Sequence, residues 1–90
     1  MGVSPGAIPP AAEPLVERAR DDLSRRSGVP AGEIRVVRVE PVEWRDTSLG
    51  VPQAGRMYAQ VITPGWRIVL LAGQELAEYH TDRQRVILAG

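Results

Sequence analysis

Residues 57–71 read MYAQVITPGWRIVLL, and in this stretch two mostly apolar segments, 58–63 and 66–71, flank Pro64 and Gly65. Proline presets φ at the first central position of a β-turn, and glycine accepts the positive φ that a type II turn needs at the second. The sequence therefore predicts a hairpin at Pro64-Gly65. Because apolar residues occupy nearly every position, the hairpin is expected in the centre of a sheet with at least one buried face.

An amphipathic helix is predicted for residues 13–27, ahead of the strands. Pro14 suits its first turn, where a missing N–H has no partner, and Gly28 supplies a left-handed stop. The opposite face carries acid–arginine pairs four residues apart, typical of a solvated surface. The apolar face consists of residues three to four positions apart: Leu15, Val16, Ala19 and Leu23.

Short β-type segments follow the helix. Residues 34–44 form the first predicted strand; its change of apolar phase indicates a β-bulge, and Pro41 indicates that the strand lies at a sheet edge or ends near this residue. After the hairpin, residues 75–80 and 85–88 are predicted strands, separated by turns at 72–74 and 81–84. The predicted fold class is α+β, with one N-terminal helix packed on a four- to five-stranded antiparallel meander sheet.

Composition limits the classes of function. Ninety residues without cysteine make one domain, expected over residues 13–90 behind a flexible Pro/Gly/Ala-rich lead-in at 1–12. Eleven basic and eleven acidic residues leave no net charge, which argues against a nucleic-acid partner. No apolar run predicts a membrane span and the N-terminus has no signal-peptide pattern. We expect a cytoplasmic protein from the sequence as given, or a secreted one if a signal peptide was removed.

Residues 45–56, RDTSLGVPQAGR, have neither a strand nor a helix pattern. Loops of this length in small domains are usually functional or mobile, so this segment is the first candidate for recognition. A purely structural Ω-type connection is the alternative.

The run from Trp44 to Asp82 resembles a family of small bacterial proteins with the core W-x-D-x-S-L-G-C-P-x-P-G-x-x-Y-A-Q-V-x-x-P-G-Y and a later Y-H-T-D. Val51 stands where that family often has cysteine, and Ala54 where it often has proline. The resemblance implies a common fold and no particular activity. The helix-plus-meander arrangement is also similar to PepSY-like and cystatin-like architectures, and PepSY-type modules accompany secreted proteases as inhibitory or interaction domains.

Four polar residues are candidates for chemistry. His80 and Asp82 would lie on one side of an extended strand, where a carboxylate can orient an imidazole. Ser48 could complete a Ser/His/Asp set, although the Gly-x-Ser-x-Gly elbow is absent, and Asp46 could join His80 and Asp82 in a metal site. The favoured interpretation is structural, with Asp82 capping the 81–84 turn, Asp46 forming an Asx-type turn and His80 bonding locally.

Large aromatic residues are candidates for interface anchors. Trp44 and Trp66 combine apolar area with a polar tip, and Arg56 lies in the adjacent loop. Together these patterns predict a non-catalytic binding module with no cofactor and no metal, binding a protein or peptide partner and able to dimerise through an exposed sheet edge. A protease-inhibitory module using the 64–65 hairpin as a wedge, and a metal-binding or hydrolytic protein centred on His80, are the alternatives. The candidate binding residues are Trp44, Asp46, Ser48, Arg56, Trp66, His80 and Asp82.

Overall fold

A four-stranded antiparallel sheet with one helix on one face forms the fold in the computed structural model, which describes residues 8–90. The strand order β1-β2-β3-β4 is a meander, so the predicted α+β class and topology are confirmed. Short 3-10 helices lie at Pro10–Ala12 and Ala31–Glu33. The main elements are α1 (Glu13–Ser27), β1 (Arg35–Trp44), β2 (Thr63–Ala72), β3 (Glu75–Thr81) and β4 (Val86–Leu88).

Helix α1 has the predicted bounds. Pro14 stands in its first turn, and Gly28 ends it with φ +78° while its N–H donates to the Ser24 carbonyl at 2.9 Å. Ala12, in the preceding 3-10 helix, is fully buried, and residues 1–7 of the expected lead-in lie outside the described residues. The apolar face of α1 and one face of the sheet form the core, which includes Leu15, Val16, Ala19, Leu23, Val39, Ile68, Leu70 and Tyr79.

Strand β1 is an edge strand with a bulge, as the sequence predicts. Val36 pairs with Leu70 and Arg38 with the adjacent Val69, so Val37 has no partner in the register. The extra residue reverses the side-chain alternation. It places Val39 in the core and leaves Val37 51% exposed.

The predicted hairpin at Pro64-Gly65 is wrong. Strand β2 begins at Thr63 and continues through both residues, with Pro64 paired to Glu43 and Gly65 to Val42. Residues 58–62 are not a strand, so the connection between β1 and β2 extends over residues 45–62. Glycine occupies position 65 because the end of β3 approaches the backbone there and leaves no room for a side chain.

The sheet has a second face that α1 does not cover, here called the helix-free face. On β3, Ala77 and Tyr79 point toward α1, whereas Glu78 and His80 point to the helix-free face, as the alternation of side chains along a strand requires. Glu40 of β1 and Arg67 of β2 stand in the same cross-strand row as His80. His80, a residue predicted to take part in chemistry, thus lies on the helix-free face together with charged side chains of all three longer strands.

Candidate functional site

The connecting loop, residues 45–62, lies partly against the helix-free face. Ser48 and Leu49 are buried, and Leu49 is fully so with a positive φ of 56°. Residues 45–56, the predicted candidate for recognition, are therefore buried at these two positions, and the Leu49 carbonyl oxygen lies against the His80 ring. The loop residues from 52 to 57 are exposed.

His80 is held on three sides. Its ring stacks on Trp44 with centroids 4.3 Å apart; Nδ1 lies 2.7 Å from the Leu49 carbonyl oxygen and Nε2 lies 2.5 Å from Glu78 Oε2. A carbonyl only accepts, so Nδ1–H donates to the Leu49 carbonyl oxygen, and the Glu78 carboxyl group lies within hydrogen-bond distance of Nε2. His80 thus links the loop to the sheet, and each of its ring nitrogens contacts an oxygen atom of the protein.

Glu78 is the carboxylate that orients His80. The hydrogen bond from His80 lowers the pKa of Glu78, and Arg67 lowers it further, against a smaller raising effect of burial. Arg67 lies 3.2 Å from Glu78 Oε2 and 3.0 Å from Glu40 Oε1, so its guanidinium links β2 to both neighbouring strands. Its guanidinium is also 5.6 Å from the Trp44 ring centroid, within cation–π range.

Trp44 links this cluster to the end of β3. Its Nε1–H donates to the Thr81 carbonyl oxygen at 2.8 Å, and the side chain is only 6% exposed. Gly50 of the loop lies against the same stack, because a Cβ added there would be 3.5 Å from both His80 and Trp44. Trp44 therefore acts in packing, and little of its surface is open to a partner.

The Ser/His/Asp arrangement is not assembled. Ser48 donates through both its backbone N–H (2.9 Å) and its hydroxyl (2.5 Å) to Asp46 Oδ1, and these two bonds lower the pKa of Asp46. The carboxylate beside His80 is Glu78, not Asp82. Asp46 and Ser48 thus form a local turn, and the Ser48 hydroxyl is bonded to Asp46 rather than to the imidazole.

Asp82 caps the turn between β3 and β4. Its Oδ1 accepts from the backbone N–H groups of Gln84 and Arg85, and its Oδ2 accepts from Arg85 Nε at 2.7 Å. Burial would raise the pKa of Asp82, but these bonds outweigh it and the pKa is lowered. Within residues 8–90 no three His, Cys, Asp or Glu side chains gather as metal ligands, so the set Asp46, His80 and Asp82 is not brought together.

Arg56 and Trp66 lie away from the His80 cluster. Arg56 is exposed in the loop and bonds to Gln53 Oε1 at 3.2 Å. Trp66 is half-buried on the α1 side of the sheet, packed against the core. The seven predicted site residues are thus divided between two faces, and two pairs among them are in direct contact, Trp44 with His80 and Asp46 with Ser48.

Two grooves meet at the end of the sheet. One, of about 630 Å³, lies between the start of α1 and edge strand β1. The other, of about 530 Å³, lies between the loop and the β3–β4 turn. Pro64 and Arg83 line both grooves. The sequence did not identify Arg83, Val61 or Ile62 as site residues. Val61 and Ile62 were assigned to a predicted strand, and no motif or pattern distinguished Arg83 from other surface arginines.

A family model described as a domain of unknown function, DUF8738, matches residues 16–89, from the first turn of α1 past β4. The chain belongs to the DUF8738 family. No curated protein and no solved structure matches the chain. Membership agrees with the resemblance to a family without an assigned activity, while the motif itself and the PepSY-like and cystatin-like similarities stay predictions.

The matched range contains the connecting loop, the His80 cluster and most of both grooves, so these are parts of the DUF8738 domain itself. Across residues 8–90 of this DUF8738 chain, no helix has the length and hydropathy of a membrane span.

Proposed function

We propose that this DUF8738 domain is a non-catalytic protein-binding module whose partner contacts the apolar loop segment, residues 57–62. The observation that carries the proposal is the concentration of exposed apolar side chains in that segment. Five large hydrophobic side chains within residues 8–90 are exposed, and three of them, Met57 (98%), Val61 (54%) and Ile62 (61%), lie there. Clustered exposed apolar residues are typical of interaction sites on soluble domains.

Hydrogen bonds hold the base of the connecting loop, residues 45–62, in place, and this order favours binding of a partner protein. Thr47 and Ala59 exchange two hydrogen bonds, from Thr47 N–H to the Ala59 carbonyl (3.1 Å) and from Ala59 N–H to Thr47 Oγ1 (2.9 Å). Arg85 donates to the Thr47 carbonyl at 2.8 Å, and His80 holds Leu49. A segment that is ordered before binding loses less conformational entropy when a partner arrives.

The surroundings of His80 support a non-catalytic role. General acid–base or nucleophilic catalysis requires a ring nitrogen within reach of the substrate, and both nitrogens of His80 contact protein acceptors while the residue is 7% exposed. The protease-inhibitory alternative required a hairpin at Pro64-Gly65 that would insert into a protease. β2 continues through both residues, so they do not form that hairpin.

Capture from a cell extract with matched surface variants tests the proposal. The test variant is Val61→Ser/Ile62→Ser, and the control is Val37→Ser/Leu76→Ser, which removes exposed apolar area of similar extent (51% and 64%) elsewhere. We expect the test variant to lose a specific captured protein by about tenfold, the effect of roughly 1.4 kcal/mol, while the control retains it. Equal capture by both variants, measured by quantitative mass spectrometry, contradicts the proposal.

A further inference from the structure

Arg83 lines both grooves, and within residues 8–90 its side chain has no polar partner. It is exposed, and among residues 8–90 it makes no hydrogen bond or ion pair. The adjacent acid, Asp82, is occupied by the backbone of the turn and by Arg85. Glu43 lines the first groove together with Arg83, but the two do not form an ion pair. A guanidinium with no acidic partner thus lies at the junction of two concave surfaces.

Both grooves have apolar walls close to that guanidinium. Leu15, Pro41 and Trp66 line the groove on the α1 side, and Val61 and Ile62 line the groove on the loop side. Pro64 is exposed and lines both grooves, as Arg83 does. A ligand lying across Pro64 would therefore meet an apolar wall, then the positive charge of Arg83, then a second apolar wall.

We propose that this surface binds an extended peptide segment of a partner protein, with an Asp or Glu side chain on Arg83 and apolar side chains in the flanking grooves. The inference rests on the proposed function and specifies the chemistry of its partner. Charge complementarity favours an acidic side chain here, because a free, planar guanidinium binds a carboxylate through two parallel hydrogen bonds. The apolar walls on either side supply the burial that a single exposed ion pair lacks.

Binding of short synthetic peptides to the isotopically labelled full chain, followed by NMR, tests the inference. The first probe is a peptide of alternating valine and glutamate, acetylated and amidated; the second replaces each glutamate with glutamine; the third is the glutamine peptide with a free C-terminal carboxylate. We expect the glutamate peptide to shift the amide signals of Val61, Ile62 and Arg83 and to bind at least about fivefold more tightly than the glutamine peptide, the effect of roughly 1 kcal/mol.

Arg83→Gln is compared with Arg35→Gln, which removes an exposed arginine that makes no ion pair at the far end of β1. The inference requires Arg83→Gln to abolish the preference for glutamate and Arg35→Gln to leave it intact. Raised salt should weaken the glutamate peptide selectively, because the contact is exposed. Equal binding of glutamate and glutamine peptides, tightest binding of the free-carboxylate peptide, or no shift with any peptide overturns it. A positive capture experiment with the 61/62 variants would then still support the binding module itself.

Discussion

The carbonyl oxygen of Thr81 occupies the space that a Cβ on Gly65 would need. The Thr81 carbonyl carbon would lie 2.7 Å from that Cβ and Asp82 Cα 2.9 Å from it, so backbone would have to move. The same oxygen accepts the indole N–H of Trp44 at 2.8 Å. The absence of a side chain at Gly65 therefore allows the end of β3 to approach β2 closely. The same approach brings the Thr81 carbonyl oxygen to Trp44, which stacks on His80 beside the loop.

Gly65→Ala is expected to destabilise the domain by about 3 kcal/mol, because overpacking against backbone adds to the cost of a weakened buried hydrogen bond. Urea denaturation followed by tryptophan fluorescence measures the loss. Gly32→Ala is the control, since no atom lies within 4 Å of its added Cβ. A Gly65→Ala protein as stable as the Gly32→Ala protein would show that the end of β3 yields without cost.

Gly28→Ala tests a different property of glycine. Its added Cβ meets nothing within 4 Å, but its φ of +78° is unfavourable for other residues. We expect a loss of about 1 kcal/mol, from backbone conformation alone. Gly28→Asn should lose less, because asparagine tolerates the left-handed region better. A larger loss for asparagine than for alanine in thermal unfolding would contradict this explanation.

Tyr79 joins the sheet to α1 through a hydrogen bond from its hydroxyl to Asp22 Oδ2, 2.7 Å long. Burial raises the pKa of the Tyr79 hydroxyl far above its usual value, so it remains a donor. Burial would also raise the pKa of Asp22, but the bonds from Tyr79 and Arg26 outweigh it and the pKa is lowered. A carboxyl group whose pKa is lower in the folded state stabilises the fold above its unfolded pKa, and this contribution is lost as pH falls through the folded value.

Tyr79→Phe is therefore expected to cost about 1.5 to 2 kcal/mol near neutral pH, the contribution of a hydrogen bond to a charged group. The difference from wild type should shrink by roughly half below the folded pKa of Asp22, where the acceptor is neutral. Urea unfolding of both proteins near neutral pH and in acid measures it. An equal difference at both pH values would mean that the Asp22 charge contributes nothing to the bond.

The helix and the bulge were predictable because their signals are local. Four apolar residues at helical spacing, with Pro14 and Gly28 at the ends, specify α1 without knowledge of the rest of the chain. A change of apolar phase likewise marks Val37. Gly65 was misjudged because a glycine that prevents a clash within a strand and one that adopts positive φ in a turn are the same residue in the sequence. The deciding neighbour, Thr81, belongs to another strand.

The sequence alone allows either of two acidic residues as the hydrogen-bond partner of His80. Glu78 and Asp82 are both two residues from His80, so an extended strand would place either on its face. β3 ends at Thr81, and beyond it Asp82 follows the path of the turn, which leaves Glu78 beside the ring. The burial of Leu49 had no signal at all, because an irregular segment has no periodicity from which an inward side chain can be recognised.

The Leu49→Ala substitution tests whether the buried side chain of Leu49 holds the connecting loop against the sheet. Leu49 is fully buried, and its carbonyl receives the His80 bond. Removing the side chain should release the loop locally, at a cost of about 2 kcal/mol or more. Hydrogen exchange should then speed up by at least about tenfold at the amides of Thr47 and Val51, whose bonds to Ala59 and Ser48 close the loop.

In Leu49→Ala the amide of Leu70, in the core, should remain better protected than the loop amides, and Val37→Ala, at an exposed bulge, should leave the loop unchanged. If Leu70 and the loop amides of Leu49→Ala instead exchange with equal protection, the two unfold as one unit and Leu49 belongs to the global core. Local release has a consequence for recognition. A loop freed at Leu49 would have to be ordered again on binding, so the Leu49→Ala protein should capture the loop's partner more weakly although Met57, Val61 and Ile62 are intact.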